Sequence, residues 1–171
     1  LAFSAAGLTG IVSNTVQVVA GGATALAIVT QPAATARSGV ALATQPGIQL
    51  RDASGSNIAQ PGVPVTVSVS AGGTLHGITT ITTNASGAAN FGGLSFSGVV
   101  GNYTLTFTSP SLTQATSGTI ALSAGLPAAV TITTQPSGST PNGIALAQQP
   151  VIQLRDDAGN ALSQAGVTVA A

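Results

Sequence analysis

Cysteine, methionine, tryptophan, lysine and glutamate are all missing from this chain of 171 residues. Without Cys there can be neither a disulfide nor a thiolate metal site, although that absence alone does not fix the redox compartment. Without Lys, no covalent cross-link from Lys to Asn or Asp can form. Charge of either sign is scarce: three Arg and three Asp cancel to a net charge of zero. Three guanidinium groups cannot build the basic footprint that nucleic acid or an anionic membrane surface requires. No apolar run reaches the roughly 18 residues of a membrane-spanning helix, so no membrane insertion is expected of this segment. The one His, His76 in "GTLHG", lacks the partners of a metal site or a Ser-His-Asp triad, and a loop or strand-edge position is expected for it. No acid/base pair or nucleophile–base pair can be assembled, so the sequence points away from an enzyme, with no catalytic residue, cofactor or metal site expected. A chain so near zero charge tends to associate. Copies of itself are therefore the expected partner.

What the chain does have is repetition. Residues 46–55 read "PGIQLRDASG" and residues 150–159 read "PVIQLRDDAG". Arg51, Asp52, Arg155, Asp156 and Asp157 all fall in these two stretches, and only Arg37 lies outside them. Leu154 follows Leu50 by 104 residues, and the same offset carries Gln31-Pro32 to Gln135-Pro136, Gly62 to Gly166 and Val65 to Val169. Run backwards, it places Leu1 on Leu105, Phe3 on Phe107, Leu8 on Leu112, Val16 on Ile120 and Ala20-Gly21 on Ala124-Gly125. A fixed period decides the architecture before any local reading. It divides the chain into the last strands of one repeat (1–21), a complete repeat (22–125) and the first strands of a third (126–171). The small, apolar opening thus aligns with an internal segment, so it is not expected to be a secretory signal. Leu1 enters at the position of Leu105 and Ala171 stops at that of Val67. These partial repeats are expected to abut neighbouring copies in a longer, fibre-like array.

The periodicity is that of strands. In "VPVTVSVS", Val63, Val65, Val67 and Val69 alternate with Pro64, Thr66 and Ser68, the pattern of a half-buried strand. "YTLTFT" sets Tyr103, Leu105 and Phe107 against three Thr, while Leu94 and Phe96, Ile120 and Leu122, and Leu26 and Ile28 repeat the pattern. Gly, Pro, Asn and Ser punctuate the runs, and no helical period is sustained. Seven or eight short strands in one period match an immunoglobulin-like sandwich, with Val65, Val67, Leu105, Phe107, Ile120 and Leu122 in its core. Tyr103, the lone Tyr, suits a tyrosine corner better than a sugar-stacking platform, which would need neighbouring aromatics.

Alternation also places the charged stretch. Ile48 and Leu50 point inward, Gln49 and Arg51 outward, and Asp52 opens a turn that Gly55 closes. Asp156 and Gly159 repeat that frame. Asp156, Asp157 and Asn160 offer oxygens to calcium, but calcium takes six to eight ligands with several carboxylates, and the corresponding loop has one Asp with Ser54, Ser56 and Asn57. A plain turn is the expectation. The Asn-x-Ser/Thr matches at Asn84 and Asn102 are near chance in a chain so rich in Ser and Thr.

In order, "IQLRDASGSN", "PGVPVTVSVSAGGTLHG", "TTNASGAANFGGLSFSG", "GNYTLTFTS" and "TSGTIALSAG" resemble the bacterial immunoglobulin-like repeats of giant surface and secreted proteins. Those include the domains of invasin- and intimin-type adhesins. The matching elements are the Asp-x-x-Gly turn at Asp52 to Gly55, the turn with Gly87, and the Gly-x-Tyr start at Gly101. The resemblance implies an all-β fold of tandem immunoglobulin-like sandwich repeats and an extracellular, cell-surface role as a rod, fibre, sheath or adhesin stalk. The alternative is a carbohydrate- or receptor-binding module, which would need an exposed aromatic or charged cluster. The low charge departs from an exposed stalk and favours tight packing.

Overall fold

Alternating β-branched and Thr residues, broken every few positions by Gly or Pro, leave the chain no option but short strands. The computed structural model describes residues 1–17 and 21–170, and every regular element among them is a strand. Val18, Val19, Ala20 and Ala171 lie outside the described residues, and with them the correspondences of Ala20 with Ala124 and of Ala171 with Val67. Among the described residues no helix is long and apolar enough to cross a membrane.

The strands run β1 (Ala2–Phe3), β2 (Ile11–Val12), β3 (Ala25–Thr30), β4 (Thr35–Arg37), β5 (Gly47–Arg51), β6 (Pro64–Val69), β7 (Gly73–His76), β8 (Thr80–Thr82) and β9 (Ala88–Asn90). They continue as β10 (Ser95–Gly98), β11 (Gly101–Tyr103), β12 (Leu105–Thr108), β13 (Ala115–Thr116), β14 (Ile120–Ser123), β15 (Ala129–Thr134), β16 (Val151–Arg155) and β17 (Ala161–Leu162). Within 22–125 the ladders are β3-β5-β9, β13-β12-β6-β8, β11-β14-β4 and β10-β7.

Residues 22–125 hold twelve strands rather than the expected seven or eight. Three of the extra strands come from chain segments that change sheets at bends, a common way to turn a corner between packed sheets. Pro32, which has no N–H to give a ladder, lies between β3, paired with β5, and β4, paired in parallel with β14. Thr104 divides β11 from β12, and its N–H goes to the Ser70 hydroxyl at 3.2 Å. Opposite, buried Ser117 divides β13 from β14 and accepts the Leu105 N–H on its Oγ at 2.9 Å.

One apolar core joins these ladders. Val65, Val67, Leu105, Phe107, Ile120 and Leu122 are all buried, as the alternation predicts, with Leu26, Ile48, Leu50, Leu94 and Phe96 beside them. Phe107 meets Phe91 at a centroid distance of 5.5 Å, and Phe96 meets Tyr103 at 5.3 Å, both tilted pairs. This all-β arrangement is consistent with a β-sandwich.

The sequence period is also a period of hydrogen bonding. β3 and β5 pair Ala25 with Arg51 through Ile28 with Ile48, then shift register before Thr30 pairs with Gly47. β15 and β16 pair Ala129 with Arg155 through Ile132 with Ile152, and shift at the corresponding place before Thr134 pairs with Val151. At the other end, Phe3 pairs with Ile11 as Phe107 pairs with Ala115.

One expectation fails. Gln49 does not face solvent: it is buried, and its Nε2 donates to the carbonyls of Ser86 at 3.0 Å, Ile58 at 3.3 Å and Leu50 at 3.4 Å. The outer face of β5 is covered by the 58 and 86 loops, and their backbone acceptors make a polar side chain necessary there. Gln153 repeats the arrangement, donating to Leu154 at 3.0 Å and Leu162 at 2.8 Å.

Candidate functional site

Asp52 and Asp156 do form turns. Gly55 N–H donates to Asp52 O at 3.0 Å and Gly159 N–H to Asp156 O at 3.0 Å, with both glycines at positive φ, where a side chain would be strained. The adjacent arginine closes each turn from outside, Arg51 Nη1 donating to Gly55 O at 2.8 Å and Arg155 Nη1 to Gly159 O at 2.7 Å.

Their carboxylates, however, are not solvated turn groups. Asp156 is 4% exposed and Asp52 8%. In each case one oxygen caps the turn and the other reaches back 31 residues to a linker glycine. Asp52 Oδ1 accepts from Ser54 N–H, Ser54 Oγ–H and Ser56 N–H at 2.9, 2.6 and 2.8 Å, while Oδ2 accepts Gly21 N–H at 3.2 Å. Asp156 Oδ1 accepts Asn160 N–H at 2.8 Å, and Oδ2 accepts Gly125 N–H at 2.6 Å and Asn160 Nδ2–H at 2.9 Å. Gly21 and Gly125 stand at the ends of the sequence segments 1–21 and 22–125. The grouped charges therefore sit where one segment hands over to the next.

The 125/126 junction has further ties. Asn160 is 8% exposed; its Oδ1 accepts Val100 N–H at 2.9 Å and its Nδ2 donates to Gly98 O at 2.9 Å, both in the preceding segment. That loop is pinned from the core side by Tyr103, whose hydroxyl donates to Val99 O at 2.8 Å, the backbone bond expected of a tyrosine corner. Arg37 holds the linker itself, Nε to Ala124 O at 3.2 Å and Nη2 to Gly125 O at 2.9 Å. Ser38 N–H donates to Ser123 O at 3.0 Å. Packing here is close enough that a Cβ on Gly125 would stand 2.6 Å from Ser38 O and 3.2 Å from Asp156 Oδ2.

The electrostatics follow from the donors. The Ser54 hydroxyl first, then the Ser56, Gly21 and Ser54 amides, hold the Asp52 carboxyl below its ordinary pKa against the opposing effect of burial. For Asp156 burial is the largest influence and pushes upward, but the combined bonds from the Asn160 side chain and the Gly125, Asn160 and Ala158 amides prevail and hold it low. These oxygens are surrounded by N–H and O–H donors, whereas calcium needs a shell of acceptor oxygens. Among the described residues, no three of His, Asp and Glu come together.

The remaining candidates are dispersed. His76 lies exposed on β7, its Nε2 2.8 Å from Ser97 Oγ on the paired strand β10. Asn84 caps an exposed turn, its Oδ1 accepting Ser86 N–H at 3.0 Å and Ala88 N–H at 3.0 Å. The cleft beside the junction, lined by Ser38, Gly125, Pro127 and Asp157 among others, has a volume of about 140 Å³. That is below the roughly 300–1,000 Å³ of small-molecule sites, whereas surface grooves beside Ala36 and Ala41 and beside Leu154 and Val167 reach about 300 and 320 Å³. No protein-family model matches the chain, and no curated protein matches it significantly.

Proposed function

We propose that this chain is a stretch of a non-enzymatic structural protein in which immunoglobulin-like units of 104 residues follow one another in tandem. It builds an extracellular rod, fibre or sheath on a bacterial surface, with an adhesin stalk as the nearest variant. The observation that carries this reading is the junction: a buried carboxylate of one unit takes the N–H of the glycine that ends the unit before it, at Gly21 and again at Gly125. Independent domains on a loose tether have no use for such a bond, whereas a continuous array gains a defined angle at each step. Two further features support it. Strand pairing repeats with the sequence period, and so little charge leaves Ser- and Thr-rich faces free to pack against other copies without repulsion. A carbohydrate-binding module draws no such support, since Phe91, Phe96, Tyr103 and Phe107 are all buried in the core of 22–125.

Immunoelectron microscopy of intact source cells with antibodies against residues 22–125 tests the reading. Label repeating at regular intervals along a projecting or sheathing fibre is the expected result. Label confined to the cytoplasm would overturn it.

A further inference from the structure

The two junctions share a turn but not its side chains. At the 125/126 junction, Arg37 binds both linker carbonyls from the preceding unit, and Asn160 of the following unit spans Gly98 O and Val100 N–H. Neither residue is kept one period away: Ser56 stands in the place of Asn160 at the 21/22 junction, and Pro141, in the segment after 125, stands in the place of Arg37. Asn160 can bridge because its amide carries a donor and an acceptor on separate atoms, matched to a carbonyl and an amide two residues apart. Ser56 has one short hydroxyl, and that group lies 3.1 Å from the Ser54 hydroxyl within its own turn. Pro141 has no side-chain donor at all, so a unit carrying it cannot fasten the carbonyls of the linker that leaves it.

We infer that Arg37 and Asn160 are paired positioning residues that fix the angle of the 125/126 joint, and that units bearing Ser or Pro at these places form joints that bend. The array then has stiffness written junction by junction, in two positions per repeat. The arrangement around Asn160 gives this its force. Tyr103 anchors Val99 to the core, so the loop that Asn160 grips is part of the rigid body of its unit rather than a free tip. Gripping it transmits orientation, not merely proximity. This rests on the tandem-array reading for its meaning but not on where the array is located.

The absence of Cys makes the test direct, because two introduced thiols are the only labelling sites. In the full chain, Thr82→Cys on β8 and Thr133→Cys on β15, both exposed, take nitroxide labels, and pulsed electron resonance gives the distance distribution across the joint. One narrow distribution is expected. Asn160→Ser and Arg37→Ala should each widen it at least about twofold, whereas Ser56→Asn, whose turn faces the other junction, should leave it unchanged. Amide exchange supplies a second readout: Asn160→Ser should expose the Val100 N–H while leaving Leu105 and Phe107 protected. A broad distribution in the parent chain, an unchanged width in Asn160→Ser, or loss of core protection in that variant would each overturn the inference. Failure of the surface-fibre imaging with these results intact would sink the location and leave the joint standing.

Discussion

Adding one methyl group at Gly125 should open the junction, and the structure gives the size of the effect. The new Cβ would stand 2.6 Å from Ser38 O, a backbone atom with no freedom to swing aside. Carbon and oxygen settle no closer than about 3.3 Å, so the linker must retreat by about 0.7 Å. The Gly125 N–H to Asp156 Oδ2 bond, now 2.6 Å, would then exceed the ordinary hydrogen-bond range. Bonds to charged groups contribute about 1.5–3 kcal/mol, so a loss of about 2 kcal/mol is expected. Because about 1.4 kcal/mol is a factor of ten, the amides of residues 125 and 100 should exchange about 30-fold faster in Gly125→Ala. Gly118, where an added Cβ would meet nothing within 4 Å, provides the control, so Gly118→Ala should leave the exchange of residues 125 and 100 within about twofold. Native-state hydrogen exchange by NMR reads both. Equal effects of the two substitutions, or unchanged exchange at residue 100 in Gly125→Ala, would refute the reasoning.

Ser111 is the only non-glycine residue at positive φ among those described, at 62°, and one period earlier the position is Gly7, at 78°. Ser111→Gly should therefore stabilise residues 22–125 by about 0.5–1 kcal/mol, seen as a higher urea midpoint; a lower midpoint would show that the turn carries no strain. Both Asp carboxyls are held below their ordinary pKa, so their stabilisation is complete above about pH 4 and is lost as pH falls through the lower folded values. Melting temperature should be flat from about pH 5 to 8 and drop on further acidification, and a decline between about pH 6 and 8 would contradict this assignment. A chelator should leave melting unchanged, and a rise of several degrees with millimolar calcium would show that the Asp turns bind it.

Local pattern carried most of the core. Val65 and Val67, and Leu105 and Phe107, lie inside because a strand of period two on a half-buried sheet has only one way to face. Strand number was harder, since the bends at Pro32, Thr104 and Ser117 exchange one sheet for another while alternation continues through them. Gln49 defeated alternation because what covers its face, the carbonyls of Ile58 and Ser86, comes from distant loops. The Asp turns were legible as turns from Asp-x-x-Gly, but the buried oxygen reaching to Gly21 or Gly125 was not, as it depends on where the preceding segment ends. A signal was nonetheless there. The glycine precedes the aspartate by 31 residues in both copies, and a spacing kept between a linker and a turn is itself a hint of contact.

The parallel pairing of β4 with β14 has a consequence for force. β4 lies near the start of its unit and β14 at its end, with Ala121 opposite Thr35 and Ser123 opposite Arg37. When residues 22–125 are pulled from their two ends, tension draws the two strands along their length in opposite directions. Their bonds, including Ala121 N–H to Ala34 O at 2.9 Å and Ser38 N–H to Ser123 O at 3.0 Å, are loaded together in shear instead of peeling one after another. A segment so closed should resist pulling by its ends far better than thermal stability alone implies, and extension in a single-molecule trap should show one abrupt step as residues 22–125 give way. Should they instead pay out gradually at low load, the β4–β14 pair would not be the element that bears it.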